Sequence, residues 1–407
     1  MKVLWIKADK LLPLHGGGNI RSHNILRQLA TRHEVTLFSY YAGGTDTEYE
    51  AQIARDFPGS VCLATRRHDP GMLRRRFDYL LRLPLAAPYA VTRAGHPRAR
   101  KALRSFFEGR RFDVAVCDFL LPTLSLPRPR SLPVVLFQHN VESEIWRRHV
   151  DIEANPFLKL AYRLEFRKML KYERAAVRAV DHIIAVSQHD RALMAAWTDA
   201  SRITVVPTGV DIEEYSPRRS SANKAPLLMF VGAMDSKPNV DAVEYFCSQI
   251  WPLILAKAPD ARFRIVGRTP HRRVRNLASR SVEVTGTVSS VPDHLREAAV
   301  VVVPLRIAGG TRLKIYEAMA MGKAVVSTTV GAEGLDVTPG ENILTADDRH
   351  TFAEAVCSLL RDSELRRRIG CSAAALAAGN NWSVIGAKFS DALETVASRF
   401  TRSAAAS

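Results

Sequence analysis

The sequence has no long hydrophobic run and few cysteines, and each shortage excludes a class of protein. No apolar run approaches the ~18–20 residues of a membrane span, and the stretch "VLWI" near the start is too short for the core of a signal peptide. The five cysteines are odd in number, and none lies in a CxxC pair: Cys62, Cys117, Cys247, Cys357 and Cys371. We therefore expect neither a disulfide framework nor a zinc site, and the sequence predicts a cytoplasmic, reducing location.

Acidic residues are also in deficit. The chain has 41 Asp and Glu against 58 Lys and Arg, which gives a formal net charge of +17. Such a field attracts phosphates, nucleic acids and anionic lipid surfaces, and charge alone does not choose among them. The basic residues are spread along the chain without a recognised nucleic-acid-binding module, so we expect no nucleic acid as a partner. A basic nucleic-acid-binding protein stays an open alternative, as does a composition without any specific partner.

Short apolar runs alternate with longer amphipathic stretches through the first half. The runs are four to eight residues long and rich in β-branched side chains, as in "KVLWI", "EVTLFSYY", "FDVAVCDF", "PVVLFQHN" and "HIIAVS". Strands of this kind are buried on both faces, which is typical of parallel sheets. The alternation predicts an α/β fold with a doubly wound sheet.

A Pro-rich, polar stretch near the middle predicts a division into two domains. After "PTGVDIEEYSPRRSSANKAP" the pattern restarts with "LLMFVGAM", "RFRIVG", "VEVTG", "AAVVVVPL" and "KAVVST", and one helix is expected over "NVDAVEYFCSQIWPLILAKA". We predict an N-terminal domain over 1–207, a linker over 208–225, a second domain over 226–380, and a last helix within 381–407 that crosses back to the first domain. Ligands of open α/β sheets bind at the carboxyl ends of the strands, so two such domains are expected to face a cleft.

The stretch "GGTRLKIYEAMAMGKAVVST", residues 309–328, predicts an anion site where a loop enters a helix. Gly309 and Gly310 allow a ligand to approach the backbone closely. Free amides and the dipole at the helix start suit a phosphate, and Arg312 and Lys314 add charge. Glu317 can accept hydrogen bonds from a vicinal diol such as a ribose. A surface loop with an ordinary helix-dipole glutamate is the alternative.

Two other glycine loops follow predicted strands. "PLHGGGNIRSHN" is not a GxGxxG motif, and no acid ends the next strand, so a dehydrogenase is disfavoured. A phosphate or acceptor loop at Gly17 and Gly18 stays open beside a packing turn. In "FVGAMDSKPNVDAV", Lys237 is placed to reach a phosphate, and Asn239 or Asp241 is expected to cap the helix.

Further candidates lie after other strands or on basic stretches. His139 follows the strand in "VVLFQHNVESEIW", where it can donate a hydrogen bond to a sugar hydroxyl or share charge in a transition state. "VTGTV" ends a strand in a glycine turn whose backbone can pair with a base edge. The basic amphipathic stretches 72–83 and 157–180 suit an anionic membrane surface, or else a solvated face over a packed stripe.

Taken in order, these segments resemble one family. "HIIAVSQHD", "ITVVPTGVDIEEYSP", "FVGAMDSKPN", "FRIVG", "VTGTV" and the 309–328 stretch are similar to the GT-B glycosyltransferases of family four, the glycosyl transferases group 1. The resemblance covers nearly the whole chain, and the set "GGGNIRSHN", "HNVESEIW" and "GAMDSKPN" is similar to a branch found in bacterial exopolysaccharide and cell-envelope clusters. It implies two Rossmann-like domains, a nucleotide-sugar donor on the C-terminal domain, and transfer with retention and without a metal.

The resemblance also assigns donor-side residues. The family has an E-x7-E motif, and Glu317 matches the second glutamate, which holds the nucleotide ribose. The first, which contacts the donor hexose, is replaced by Gly309. The family's diphosphate-binding arginine is replaced by Ala233, whereas Lys237 matches its lysine. The diphosphate is expected at the helix start over 311–317, where Thr311, Arg312 and Lys314 contribute.

The remaining matches concern the base and the acceptor side. Val288 matches the base-contacting position, His139 the histidine near the donor sugar, and Gly17 and Gly18 the N-terminal glycine loop. The resemblance therefore implies a retaining, metal-independent hexosyltransferase without a cofactor. It moves a sugar from a nucleotide-diphosphate donor to a saccharide or lipid-linked acceptor, at the inner face of the membrane. A nucleotide-sugar 2-epimerase of the same two-domain plan is the alternative enzyme.

Overall fold

The computed structural model describes residues 1–14, 16–65, 78–79, 81–82, 84–109, 112–128, 130–217, 226–307 and 312–405. Three predicted site residues, Gly309, Gly310 and Thr311, lie outside the described residues. So does most of the basic stretch 72–83, including its three consecutive arginines. The chain divides into unit 1, residues 1–206 with 385–407, and unit 2, residues 207–384.

Unit 1 contains a sheet of seven parallel strands. They are β1 Lys2–Lys7, β2 Glu34–Tyr41, β3 Val61–Ala64, β4 Val114–Asp118, β5 Val134–Phe137, β6 His182–Ala185 and β7 Ile203–Val205, in the spatial order β3-β2-β1-β4-β5-β6-β7. The predicted apolar runs form these strands, and β4, β5 and β6 are buried along their whole length. The strand order reverses direction between β1 and β4, where an open α/β sheet leaves a crevice at its carboxyl edge.

The helices of unit 1 connect these strands. They are α1 Gly17–Ala30, α2 Thr47–Asp56, α3 Tyr89–Ala94, α4 Pro97–Glu108, α5 Glu142–Ile152, α6 Pro156–Ala179 and α7 Gln188–Ala195, with short 3₁₀ turns at Leu121–Ser125 and Ala200–Arg202. Polar caps define several starts: Asn155 accepts from the Phe157 and Leu158 amides ahead of α6, whose first residue is proline. Most of the last helix, Trp382–Ala405, belongs to this unit, and its Phe389 packs against Trp5.

Unit 2 contains a sheet of six parallel strands. They are β8 Leu227–Val231, β9 Arg262–Val266, β10 Val282–Gly286, β11 Val300–Val303, β12 Ala324–Ser327 and β13 Leu344–Thr345, in the order β10-β9-β8-β11-β12-β13. The order reverses between β8 and β11, so the crevice at the carboxyl edge lies between these two strands. A single apolar core fills both faces of the sheet, with Phe230, Phe246 and Phe263 fully buried.

The helices of unit 2 include one that departs from the sequence prediction. They are α8 Lys237–Tyr245, α9 Trp251–Leu255, α10 Arg272–Arg275, α11 Val291–Glu297, α12 Leu313–Ala320, α13 Thr329–Ala332, α14 Arg349–Arg361 and α15 Ser363–Ala378, and the chain leaves into α16 Trp382–Ala405. The helix predicted over residues 239–258 contains a π-helical segment, Phe246–Ile250, directly before α9. Pro252 lies in the first turn of α9, and because proline removes an amide donor and crowds the preceding turn, the hydrogen-bond pattern changes there.

All five cysteines are free. Among the described helices, none is long and apolar enough to cross a bilayer.

Candidate active site

Polar groups gather at the carboxyl edge of each sheet, close to the point where the strand order reverses. In unit 2 they come from the segment after β8 and from α12, which follows β11. In unit 1 they come from the ends of β1, β4 and β5. We describe the two groups separately, beginning with unit 2.

Lys314 ties the start of α12 to the turn after β8. Its Nζ atom donates a 2.9 Å hydrogen bond to Oδ1 of Asn239 and lies 4.2 Å from the centre of the Phe230 ring. Nδ2 of Asn239 in turn donates to the carbonyl of Ala233 over 2.9 Å. A Cβ atom at Gly232 would stand 2.8 Å from both the Lys314 ammonium and the Asn239 amide, so any other residue there would have to displace these two groups. The ammonium is therefore held at the crevice of the sheet.

The surroundings of Lys314 weaken its hold on the proton. Burial lowers the pKa of the ammonium to about 7, and the nearby Arg312 guanidinium lowers it further, whereas Glu317 raises it. Without a bound anion, the side chain of Lys314 is therefore close to half protonated at pH 7. A bound phosphate would raise this pKa and fix the positive charge.

Glu317 lies three residues further along α12, on the same side of the helix as Lys314. Burial raises the pKa of its carboxyl to about 7, and the neighbouring Tyr215 hydroxyl lowers it through a hydrogen bond, while Glu214 raises it. Tyr215 shows the reciprocal effect, because burial and the Glu317 carboxylate raise its pKa far above the usual value. Lys314 and Glu317 are thus neighbours on α12, and each has a pKa of about 7.

The other predicted donor-side residues occupy different settings. Arg312 immediately precedes α12 and is buried. Lys237 is the first residue of α8 and is exposed, whereas Val288 follows β10 and packs partly against the core of unit 2. Gly286, the last residue of β10, has φ +72°, a left-handed value that favours glycine in this turn.

The prediction that Asn239 or Asp241 caps α8 is wrong. The cap position is Ser236, and no side chain accepts a hydrogen bond there. Asn239 bridges Lys314 and Ala233 instead, and Asp241 accepts two hydrogen bonds from Arg306, at 2.6 and 3.0 Å. Both side chains connect α8 to the segment after β11, where Arg306 and Lys314 provide their charged partners.

In unit 1, a buried chain of polar groups crosses three neighbouring strands. The parallel register puts Lys7, the last residue of β1, beside Asp118, the last residue of β4. Nζ of Lys7 lies 3.0 Å from Oδ2 of Asp118, and Nε2 of His139 lies 2.7 Å from Oδ1. Ser22 of α1 donates a 2.9 Å hydrogen bond to the same Oδ1 atom. His139 follows β5, so the network spans the crevice of this sheet.

These contacts determine which nitrogen of His139 is available. Burial alone would raise the pKa of Asp118, but the Lys7 charge and the His139 hydrogen bond lower it well below the usual range. An ionised carboxylate only accepts hydrogen bonds, so Nε2 must carry the ring proton. Burial lowers the pKa of His139 to about 4 against the opposing effect of Asp118, so the ring is neutral at pH 7. Its Nδ1 atom, which has no hydrogen-bond partner among the described residues, is therefore an acceptor.

This finding modifies one sequence-based idea. The sequence allowed His139 to donate a hydrogen bond to a sugar hydroxyl or to share charge in a transition state, whereas the neutral tautomer set by Asp118 presents a lone pair at Nδ1. The sequence analysis also left out Lys7, Ser22 and Asp118. A signal for two of them was present, since a lysine and an aspartate close the apolar strands "KVLWIK" and "VAVCD", and parallel strands bring such ends together.

Aromatic rings hold the imidazole in place. The ring of Phe119 stacks on His139 with centroids 3.7 Å apart and planes inclined by 9°. Phe119 has φ +70°, a rare value for a residue with a bulky side chain, and it directs the ring over the histidine. A Cβ atom at Gly18 would stand 2.4 Å from the tip of the Phe119 ring, whereas one at Gly17 would meet nothing within 4 Å. Gly18 is therefore required by packing.

Nearby carboxylates serve the fold of α5. Glu173 accepts hydrogen bonds from the Glu142 and Ser143 amides, the Ser143 hydroxyl and the Gln138 side chain, at 2.6 to 3.0 Å. It thus closes the first turn of α5, where a negative charge is favourable. Burial, with the charge of Glu173, raises the pKa of Glu142 to about 7.

Among the described residues, no group of three His, Cys, Asp or Glu side chains is placed to hold a metal ion.

Comparison with known proteins connects both units to one family. Residues 225–362 match the family profile "Glycosyl transferases group 1", and residues 15–214 match "Glycosyltransferase Family 4". The "Uncharacterized 44.6 kDa protein in cps region" of Klebsiella pneumoniae is 22% identical over 393 residues, which cover 91% of this chain and 94% of that protein. The lipopolysaccharide core biosynthesis mannosyltransferase LpsB of Rhizobium meliloti is 28% identical over 276 residues, 58% of this chain and 76% of that protein.

The solved structures give the fold. The crystal structure of Anabaena HepE in complex with UDP and glucose matches with a TM-score of 0.68 at 14% identity, covering 97% of this chain and 99% of that one. Two parallel sheets flanked by helices, in the orders found here, are the two Rossmann-like domains of the GT-B fold. The predicted fold class is confirmed.

Proposed function

Because the chain belongs to family four of the glycosyltransferases, the glycosyl transferases group 1, we propose that it is a retaining hexosyltransferase with a nucleotide-diphosphate sugar as donor. It is a glycosyltransferase of bacterial polysaccharide or cell-envelope biosynthesis. The proposal adds the donor class, the stereochemistry and the residues that carry them.

One observation carries the donor assignment: Lys314 and Glu317 lie on one side of α12, at the crevice of the unit 2 sheet. The ammonium group of Lys314 is held at the crevice of the sheet by its hydrogen bond to Asn239, close to the backbone of Gly232. A cation in this position suits a diphosphate. Glu317 is an acceptor one turn further along, where a ribose diol attached to that diphosphate would reach it. Arg312, buried at the start of the same helix, supplies a second positive charge.

The remaining donor contacts follow from the same placement. Lys237, exposed at the start of α8, reaches the phosphates from the β8 side, and Val288 contacts the base beyond β10. Gly309, Gly310 and Thr311 lie outside the described residues, and their place at the diphosphate site stays a prediction from the sequence. UDP and glucose are the ligands named for HepE, which supports a hexose on a nucleoside diphosphate.

In the proposed reaction, the bond between the anomeric carbon and the diphosphate oxygen breaks, and its electron pair remains on the diphosphate. The acceptor hydroxyl oxygen forms the new bond on the same face of the sugar, and its proton passes to the leaving phosphate. Arg312 and Lys314 stabilise the charge that grows on the diphosphate, an effect that contributes several kcal/mol in preorganised sites. We assign no metal to this step, because fixed cations perform the neutralisation.

On the acceptor side, Nδ1 of His139 accepts a hydrogen bond from a sugar hydroxyl, and Gly17 and Gly18, in the first turn of α1, lie beside the saccharide or lipid-linked acceptor. Asp118 and Lys7 fix the proton on Nε2 and so keep Nδ1 unprotonated. His139 thus aligns the acceptor hydroxyl, and this alignment contributes most to the rate when the hydroxyl already lies close to the anomeric carbon.

Two experiments test this function. A thermal-shift panel of UDP, GDP, ADP and dTDP sugars identifies the donor, because a ligand at 100 times its Kd adds about 2.7 kcal/mol to the free energy of unfolding. With that donor, Glu317→Gln is expected to weaken binding and to reduce transfer strongly, whereas Glu341→Gln at an exposed loop position is the control. Unchanged kinetics of Glu317→Gln, or a new sugar isomer formed from the donor without an acceptor, would contradict the proposal.

A further inference from the structure

The start of α6 exposes an apolar row that nothing in the described part of the chain covers. Phe157 is 84% exposed and Leu160 58% exposed, and Leu164 continues the row one turn later. These residues follow the i, i+3, i+7 spacing, so they occupy one face of the helix. Ile152, at the end of α5, and Leu158 add further exposed apolar surface around the connection between the two helices.

A row of bases runs beside this apolar row. Arg163, Arg167 and Lys171 are exposed and lie at i, i+4 and i+8, so they form a second line along the same side of α6. Among the described residues, no ion pair involves any of these three side chains. The opposite side of α6 is buried through Glu165, Met169 and Glu173, which anchor the helix to unit 1.

The described residues of the other basic stretch, 72–83, and the segment that follows it lie against the buried side of α6. Glu165 of α6 accepts a 2.9 Å hydrogen bond from the Tyr89 amide, and it acts on the pKa of Tyr79. Leu81 and Leu85, between these tyrosines, are both exposed. Leu81 and Leu85 thus add exposed apolar residues in a segment that packs on α6 at Glu165.

We propose that the N-terminal half of α6 docks unit 1 onto an anionic lipid bilayer, with Phe157 and Leu160 entering the interface and Arg163, Arg167 and Lys171 facing the headgroups. The choice of a bilayer follows from charge: the bases beside the row have no acidic partner in the part of the chain that the structure describes, and the chain has a net charge of +17. An apolar row flanked by unpaired bases is the pattern of helices that lie in the plane of an anionic membrane surface.

This inference rests on the proposed function only for the purpose of docking, which would bring the enzyme to a lipid-linked acceptor at the bilayer surface. Docking and catalysis are measured separately. Sedimentation with vesicles reports docking without a donor, whereas transfer to a water-soluble acceptor reports catalysis without lipid. Loss of one without the other tells which of the two proposals has failed.

The test uses the full chain with vesicles of phosphatidylglycerol and phosphatidylcholine, compared with phosphatidylcholine alone. We expect binding to the anionic vesicles that weakens with salt. Changing Arg163, Arg167 and Lys171 to Gln should lower the partition coefficient roughly 100-fold, because each base near the surface contributes about a factor of five. Phe157→Ser with Leu160→Ser should lower it by about tenfold or more.

Matched controls remove the same charge or apolar area elsewhere. Arg275, Arg280 and Arg368 are exposed bases of unit 2, and Val61 and Val384 are exposed apolar residues outside α6. Their Gln or Ser variants should retain most of the binding. The proposal would be overturned if the control variants lost as much binding as the α6 variants, or if the protein did not bind anionic vesicles at low salt. It would also be overturned if the α6 variants changed only the self-association of the protein and not its binding to vesicles. So would binding that is lost in the Arg74→Gln, Arg75→Gln, Arg76→Gln triple variant and kept in the α6 variants.

Discussion

Asp118 accepts a 2.7 Å hydrogen bond from Nε2 of His139, and this bond decides the chemistry that the histidine offers. The carboxylate is itself held ionised by Lys7, 3.0 Å away. His139 is therefore a neutral acceptor at Nδ1, although a histidine after a strand is equally able to be a donor or an acid.

The first prediction concerns this pair. His139→Ala should lower kcat by roughly 100-fold, the lower range for loss of a positioned hydrogen-bonding or proton-transfer group. Asp118→Asn, which removes the charge that fixes the tautomer, should lower kcat by about tenfold with a smaller effect on the KM for the donor. Both are measured by steady-state kinetics with donor and acceptor varied separately.

Asp118→Asn also leaves Lys7 buried without its counterion, which costs about 3–5 kcal/mol in other proteins. The double variant Lys7→Met, Asp118→Asn removes the stranded charge and is the folding control. If the double variant regains both stability and kcat, Asp118 acts on the fold and does not position His139.

The second prediction is a pH profile for donor binding. Glu317 has a pKa of about 7 and accepts the ribose hydroxyls best when ionised, so affinity should fall below pH 7. Lys314 also has a pKa of about 7 and attracts the diphosphate only when protonated, so affinity should fall above pH 7. Isothermal titration from pH 5 to pH 9 should show a maximum near neutrality, with limbs of up to about tenfold per pH unit.

Single variants assign the two limbs. Glu317→Gln should remove the acid limb and Lys314→Gln the alkaline limb, each at reduced affinity, whereas Lys257→Gln at an exposed position should keep both. A profile that does not change in Lys314→Gln would show that another group binds the phosphate.

The third prediction separates two adjacent glycines. Gly18→Ala places a Cβ atom 2.4 Å from the Phe119 ring, so the ring must move and we expect a loss of about 1–3 kcal/mol in the free energy of unfolding. Gly17→Ala meets open space at the first residue of α1 and should be neutral or stabilising by less than about 1 kcal/mol. Urea denaturation compares them. Equal stability of the two variants would show that Phe119 is free to rotate away.

The fourth prediction concerns metals. Transfer should continue at its full rate in excess EDTA, because Arg312 and Lys314 are assigned the neutralisation of the diphosphate. The measurement compares the initial rate of transfer without EDTA, with excess EDTA, and again after the EDTA has been removed. Activity that disappears with EDTA and returns with magnesium or manganese would replace this mechanism with a metal-assisted one.

The sequence by itself determined the fold class and which segments form strands. Apolar runs such as "VVLF" in β5 and "VVVV" in β11 can be buried on both faces only in parallel sheets covered by helices, so their spacing was sufficient. The same local pattern indicated that Glu317, Lys314 and His139 lie after strands. Local patterns failed at residues 246–250 and at Asn239, because the π-helical segment and the Asn239 contacts depend on neighbours that the pattern does not contain.

Only the tertiary structure decided which distant residues share a site. Lys7 and Asp118 are 111 positions apart, and the parallel pairing of β1 with β4 brings their side chains within 3.0 Å. Lys314 and Asn239 meet in the same way across β8 and β11. Burial, with the charge of Arg312, sets the pKa of Lys314 near 7, and the contact with Asp118 makes His139 an acceptor. A pKa and a tautomer depend on burial and on charges a few ångströms away. The residue types at these positions are written in the sequence, but their protonation states are set by the fold.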